Sequence, residues 1–536
     1  PSPSAPAPPP PPGPPPPAAE APVAPAPVLI GDRDPPRTAY ARLECAEAVV
    51  VGRAFPLEVG LSPVPVAGVS GPALERPPSS RGPYTLVVQV VADGFRPLAG
   101  AGWRHELAVT ADAPWPSVTV ELVAEPGGTG VGARAIQAMF SVDGQTVGFA
   151  VRPVAVVADE SQLGVPTGHP EAEAVTVSVP SEMEAPDLTI RIVTGKAGAE
   201  GRLLWTFETP AGLGVPAPAE PLVTDIGERP EAFTRALVRG VDTREETTGS
   251  SSFLRGVGLT VADQMPPEAQ RLLATVAERV TGRAPRVFLL SEEPHVPWEL
   301  ALLDPPIDAA APPFLAAQCD VGRWVLGQRR PPLPPPTSVP ARTMAVVTGN
   351  YGSRLPRLFE AEREAEQLRQ RYAAAPVGAV ATEILGCLSG TPDAEVLHFA
   401  VHGTYDQGGE DEGLILSDGT RLQPLDVKGA YPLKGTPFVF LNACQVGNGN
   451  ELLGDYAGLA QSFLYAGAAG VVAPLWSVSD AVARELALDF YERAFVPGAT
   501  AAGVLREARA RYAEAGGDAT WLAYQFFGHP AMGLRR

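Results

Sequence analysis

The sequence predicts a multidomain chain: an N-terminal antiparallel β-sandwich followed by an α/β domain on a mostly parallel sheet. Three observations carry this. The chain has 536 residues, which at about 150 residues per domain is too many for one ordinary core. After a proline-rich start, its hydrophobic pattern runs first with period two and later as apolar runs alternating with helical stretches. Finally, proline totals 62, more than twice the usual share of about 5%, and its clusters mark the linkers.

The elements follow in order. Residues 1–36 hold 17 prolines with alanine and serine between them. Such a segment favours extended polyproline II and reads as a disordered linker. Residues 37–157 contain the runs Phe55 to Val59, Tyr84 to Val91, Ser117 to Val123 and Thr146 to Val151. Alternating β-branched residues between Gly and Pro turns predict antiparallel strands, here in an interaction or sensor domain. Residues 158–245 form a small β-rich connecting region, with strands at Ala174 to Val179, Leu188 to Val193 and Leu203 to Phe207 and a helix from Pro230. The sequence leaves open whether this is a separate unit or the edge of the next one.

Residues 246–536 read as α/β. Helical patterns at Pro267 to Val280, Leu358 to Tyr372, Tyr456 to Ala466, Val478 to Phe495 and Thr500 to Ala513 alternate with apolar runs. Those runs begin at Arg286, Met344, Glu395, Pro437 and Gly470. Short apolar strands covered on both faces imply a mostly parallel sheet. Ligands of such sheets bind beyond the carboxyl ends of the strands.

Composition narrows the function. A net charge of −19 argues against direct nucleic-acid binding, which needs a basic face. No run approaches the roughly 18 apolar residues of a membrane span. The four cysteines, Cys45, Cys319, Cys387 and Cys444, are far apart and fit a reducing cytoplasm. Neither His105 nor Cys45 has a partner at metal-ligand spacing, and neither metal nor cofactor is expected. No phosphate-binding glycine loop appears either. The sequence starts at Pro1, as a trimmed or processed chain would.

Two strand ends could carry chemistry. His402 leaves an apolar strand and is followed by Gly403; Cys444 ends another and opens a Gly/Asn-rich loop. A thiol needs a base to become a thiolate at neutral pH, and imidazole suits that task. Glycine beside it lets a carbonyl approach backbone N–H groups, as an oxyanion site requires. Packing alone also explains a cysteine at a strand end and a histidine near a sheet edge. Cys319 and Cys387 stand in settings that read as packed, and Glu299 reads as an internal ion-pair partner.

A series of short motifs spans about half of the chain. It comprises Pro297 to Leu302, Val347 to Asn350, Leu355-Pro356, Glu360 to Ala365 and Leu397 to Gly403. It continues through Leu441 to Gly447, Gly454-Asp455, Leu464 to Ala468, Leu475 to Asp480 and Phe527 to Pro530. In order and spacing this series resembles the CHAT domain, a caspase-like cysteine peptidase module related to separase. The resemblance implies a caspase-like fold for residues 246–536, with His402 as general base or acid and Cys444 as nucleophile. Backbone N–H groups at Gly403 and Cys444 would hold the oxyanion. His398 would be structural support. Asp480, with Asp455 and Asp406, would receive a basic P1 side chain, arginine before lysine. His529 stands where the family usually has Asp, which implies a structural difference far from the dyad.

The resemblance further implies a cytoplasmic bacterial enzyme of signalling or antiviral defence, acting on protein substrates under a protein partner or activator bound through the β domain. The competing expectation is a non-catalytic caspase-fold scaffold. Inactive relatives usually lose the histidine or the cysteine, and both are present here.

Overall fold

The computed structural model describes residues 38–69, 72–75, 83–98, 100–126, 132–163, 175–177, 184–195, 201–242, 250–326, 335–352, 357–404, 413–445, 456–476, 478–514 and 519–536. The proline-rich segment, Asp406, Asp455 and the loop from 446 to 455 lie outside the described residues, as does the side chain of Cys444.

Two sheets form the N-terminal part. One has six strands in the order Val175–Val177, Pro72–Glu75, Thr38–Glu44, Ala54–Ser62, Ser117–Ala124 and Phe95–Pro97. The other has five: Ala48–Val50, Gln145–Val157, Gly132–Val142, Tyr84–Val91 and Arg104–Val109. They enclose one apolar core, in which Leu43, Leu57, Val59 and Leu122 of the first join Val88, Val90, Phe140 and Val154 of the second. Neither sheet is purely antiparallel, which corrects the sequence expectation. Ala48–Val50 runs parallel to Gln145–Val157, and Val175–Val177 runs parallel to Pro72–Glu75. Both exceptions are three-residue edge strands pairing with remote segments, so local alternation cannot reveal their direction.

The third sheet has thirteen strands. Leu188–Thr194 pairs in parallel with Arg286–Ser291, and Arg202–Glu208 and Leu222–Asp225 extend the edge as an antiparallel meander. The strands after residue 184 thus belong to the same sheet as those of the α/β part. Within it lie two parallel blocks of opposite sense. Tyr524–Phe527 joins them, running parallel to Asp320–Val325 and antiparallel to Gly470–Pro474. The second block places Ala375–Gly378, Met344–Thr348, Val396–Thr404, Phe438–Gln445 and Gly470–Pro474 side by side in parallel.

Different layers cover the two faces of this large sheet. On one face Val396, Phe438, Phe440 and Val472 share a core with residues of the helices Pro267–Arg279, Phe359–Tyr372, Asp480–Ala494 and Ala501–Glu514. On the other face Leu397, Phe399, Val439 and Leu441 pack with the helices Ala381–Leu388, Pro424–Gly429 and Tyr456–Ala466. The same core extends over Arg286–Ser291 and Asp320–Val325. There the five-stranded sheet brings Met139 to the cluster of Phe288, Leu290 and Trp324, with Phe149 beside it.

Polar contacts fix this junction. Gln137 donates to Glu292 at 2.7 Å and accepts from buried Arg191 at 2.5 Å. The Arg191 guanidinium also lies over Phe149, 5.3 Å from the ring centroid. Burial pulls Arg191 down to about 10, with Glu292 opposing the shift, so it stays charged at neutral pH. Arg104 grips Glu208 with two bonds of 2.5 and 3.1 Å. The turn between Gly132–Val142 and Gln145–Val157 seats against Pro210. Gly144 there has φ +79°, and an added Cβ would stand 2.6 Å from the Pro210 nitrogen.

Residues Leu86–Val91 of this sheet are therefore buried on both faces, beyond the one-sided burial that the alternating sequence pattern implies. A chain beginning at residue 184 should expose Phe288, Leu290 and Trp324 and be recovered as aggregate or as a dye-binding, loosely packed species. A soluble, monodisperse fragment with the melting temperature of the full chain would refute this.

Candidate active site

The strand Val396–Thr404 is buried on both faces and flanked on both sides by parallel neighbours. Its partner Phe438–Gln445 aligns with it in the register His398 with Phe440, Ala400 with Asn442, His402 with Cys444 and Gly403 with Gln445. Register partners on parallel strands share a face, with strand axes about 4.8 Å apart. His402 and Cys444 are therefore neighbours on one face near the carboxyl ends of two adjacent strands. They stand forty-two positions apart in sequence, a distance spanned by one strand-to-strand crossover.

His402 is 2% exposed. Its backbone N–H donates to the Tyr351 hydroxyl at 2.9 Å, and the two rings lie 4.5 Å apart at 55°. Gly403 pairs on one side with Gln445 and on the other with Leu414 of the short strand Gly413–Ile415.

Residues 269–530 match the CHAT domain family. This segment is a CHAT domain. No curated protein matches the chain. Among solved structures, the chain is similar to the separase–securin complex of Saccharomyces cerevisiae at 11% identity and a TM-score of 0.38. That match covers 64% of this chain and 30% of the other. It is also similar to the complex of Porphyromonas gingivalis RgpB pro- and mature domains at 12% identity and a TM-score of 0.35, covering 57% and 77%.

On the same two strands, two and four residues before His402 and Cys444, lies a buried polar network that the sequence did not announce. Glu364, on the helix Phe359–Tyr372, accepts from Asn442 Nδ2 at both carboxylate oxygens, each at 2.9 Å. Its Oε1 also lies 2.6 Å from His398 Nε2, while His398 Nδ1 lies 3.0 Å from the Tyr491 hydroxyl. Burial drives the Tyr491 phenol well above its usual range, so it stays protonated. Asn442 reaches the Ala483 carbonyl at 3.3 Å and accepts from the Tyr524 hydroxyl at 2.6 Å. One signal for Glu364 existed. It falls on the same helical face as buried Ala361, Ala365 and Leu368, where a charge needs internal partners.

His398 is buried and stacked on Phe440 at 5.2 Å. Asp480 is the first residue of the helix Asp480–Ala494 and is exposed, with Ser479 at the N-cap position. Asp480 is therefore a first-turn acid and not the cap itself. The helix follows Gly470–Pro474, so it starts at the sheet edge where the dyad positions lie. Ala483 is level with Asn442, and Asp480 stands one turn, about 4.5 Å, further toward the rim.

The remaining cysteines are poor nucleophiles. Burial, reinforced by Asp320, pushes the Cys319 thiol far up, and burial takes Cys387 to about 11. Cys45 is raised by burial against the pull of Arg152. Glu299 pairs with buried Arg323 through contacts of 2.9 and 2.6 Å and accepts from Gln525 at 3.0 Å. Among the described residues, no group of three or more His, Cys, Asp or Glu could hold a metal ion.

His529 is 2% exposed, accepts the Ala531 N–H on Nδ1 at 3.1 Å and lies 5.3 Å from the Phe288 ring. Burial, helped by Arg286, lowers it to about 3.

Two outcomes follow for stability. Glu364→Ala should cost about 3–5 kcal/mol in denaturant unfolding, because it removes the carboxylate beside buried His398 and two of the three acceptors of Asn442. A loss below about 1 kcal/mol would mean that the network closes without it. The folded pKa of His529 lies below the unfolded value near 6.5. The unfolded chain therefore takes up more protons in that window, and stability drops as pH falls from about 6.5 toward 3. His529→Asn should spare the protein at most about 2 kcal/mol of acid loss between pH 7 and 5. Equal acid loss in both chains would remove His529 from the account.

Proposed function

We propose that the chain is a cysteine endopeptidase that hydrolyses protein substrates through Cys444 and His402. The single observation that supports this is the register pairing of His402 with Cys444 at the carboxyl edge of a CHAT-domain sheet. In this reading His402 takes the thiol proton, and the thiolate attacks the carbonyl carbon of the scissile bond. The oxyanion of the tetrahedral intermediate is held by backbone N–H groups at Gly403 and Cys444. The imidazolium returns its proton to the leaving amine, which departs and leaves a thioester. Water, deprotonated by the same imidazole, then hydrolyses that thioester and frees the thiol.

Asp480 is our first choice for the P1 acid, with Asp455 and Asp406 as its companions and arginine as the favoured side chain. A planar guanidinium meets a carboxylate with two parallel bonds, which an ammonium cannot copy. We further read the enzyme as regulated by a protein partner bound at the N-terminal sheets, in a bacterial signalling or defence setting. No helix among the described residues is long and apolar enough to cross a membrane.

The test is cleavage of fluorogenic peptides with Arg, Lys or Asp at P1. Hydrolysis after Arg should vanish in Cys444→Ala and fall by about 10²–10⁴ in His402→Ala. Asp480→Ala should lower kcat/KM for Arg substrates by about ten- to a hundredfold and leave the fold intact. Hydrolysis that survives Cys444→Ala would overturn the mechanism. Equal use of Arg substrates by Asp480→Ala would overturn the pocket.

A further inference from the structure

The ladder around His402 is incomplete on one side, and a side chain completes it. Met344–Thr348 pairs with the histidine strand up to Thr348 opposite Ala400 and goes no further. In a parallel ladder the N–H and C=O of one residue point to the same side, and alternate residues point to alternate sides. Ala400 and His402 therefore both turn toward Met344–Thr348, but that strand has ended when His402 is reached. A buried N–H needs an acceptor. The chain beyond Thr348 bends back, and the Tyr351 hydroxyl takes the place of the missing carbonyl, 2.9 Å from the His402 nitrogen.

The same hydroxyl gives its proton to the Ile415 carbonyl at 3.1 Å. Ile415 ends the short strand whose Leu414 pairs with Gly403. One oxygen thus ties together the histidine, the bend after Thr348 and the hairpin that begins at Gly413. The Tyr351 ring, 4% exposed, lies against the imidazole and packs with Leu358, Ala361, Ala400 and Ile415. The bend is built for this ring. A Cβ on Gly349 would stand 2.2 Å from Tyr351 Cζ and 2.4 Å from its hydroxyl oxygen, so any larger residue there displaces the tyrosine.

We propose that Tyr351 is the positioning residue of His402: its hydroxyl closes the ladder at the His402 backbone, and its ring fixes the imidazole plane. This rests on the reading of His402 as the base of the peptidase. A base set at the wrong angle still binds substrate through other groups but transfers protons slowly, so the loss should fall on kcat and leave KM alone.

The experiment compares the full chain with Tyr351→Phe, Tyr351→Leu and Gly349→Ala, using the Arg peptide and counting active sites with an irreversible Arg-based probe. Tyr351→Phe should lose about tenfold in kcat per titrated site with KM within about twofold, and Tyr351→Leu about a hundredfold. Gly349→Ala should follow Tyr351→Leu. A second measurement does not depend on hydrolysis. Deuterium exchange at the His402 amide should be slow in the native chain and faster in Tyr351→Phe. A variant that is merely less well folded would show fewer titrated sites at unchanged kcat, and that result overturns the proposal. So does a rise in KM alone, or a fall in kcat with no change in exchange at the His402 amide.

If the native chain cleaves no peptide and yet the amide exchange responds as expected, the peptidase reading falls and the positioning of His402 stands. If hydrolysis is normal and neither readout moves, the positioning falls and the peptidase reading stands. Should Tyr351→Phe fail to fold, a fluorinated tyrosine at position 351 keeps the shape and weakens the acceptor. A smaller loss of kcat in the same direction is then expected, and no loss overturns the proposal.

Discussion

Glu364 places a buried carboxylate between the two strands that bear His402 and Cys444, and the geometry of that site depends on it. The carboxylate meets His398 on one strand and Asn442 on the other. Buried polar contacts of this kind contribute little net stability, because their groups leave water to form them. What they supply is uniqueness. A slip of one residue between the strands would send Asn442 to the opposite face, and a slip of two would carry it past the carboxylate. Either shift leaves a buried carboxylate without its Asn442 partner, so the observed register of the two strands is the one in which Glu364 is satisfied. Through the Ala483 carbonyl the same network fixes the start of the helix that bears Asp480, and through Tyr524 it reaches the strand joining the two parallel blocks.

The N-terminal sheets take part in this construction as a layer. Over Phe288, Leu290 and Trp324 they do what helices do over the other block, and Arg191, Gln137 and Glu292 give the junction a polar centre with one arrangement. A guanidinium buried there must keep its partners, so the junction resists sliding. A partner bound to these sheets would sit on a layer packed directly against the large sheet.

Much of this was legible in the sequence, and what was hidden has physical reasons. The apolar strands ending at His402 and Cys444 were visible because burial on both faces leaves a continuous apolar run. Their adjacency was not, since nothing local in a parallel strand names its neighbour; the ordered motifs of the family supplied that. Glu364 looked like one more charge on a charged helix, although its spacing from Ala361 and Leu368 put it on the inner face. Asn442 read as the last residue of an apolar strand, with nothing to say what it bonds. Tyr351 was invisible because its role arises from where a neighbouring strand stops, which periodicity does not encode. The two parallel edge pairings and the attachment of Leu188–Asp225 to the large sheet were hidden for the same reason, as contacts between remote segments.

The supports of the site differ in kind, and the difference bears on specificity. His402 is held by ladder, hydroxyl and ring, and the Cys444 position by the register that Glu364 enforces; both stand on rigid elements. Asp480 stands exposed in the first turn of a helix whose origin is tied to the same network. That fixed position near the carboxyl edge of the sheet is why Asp480 is the acid to test first.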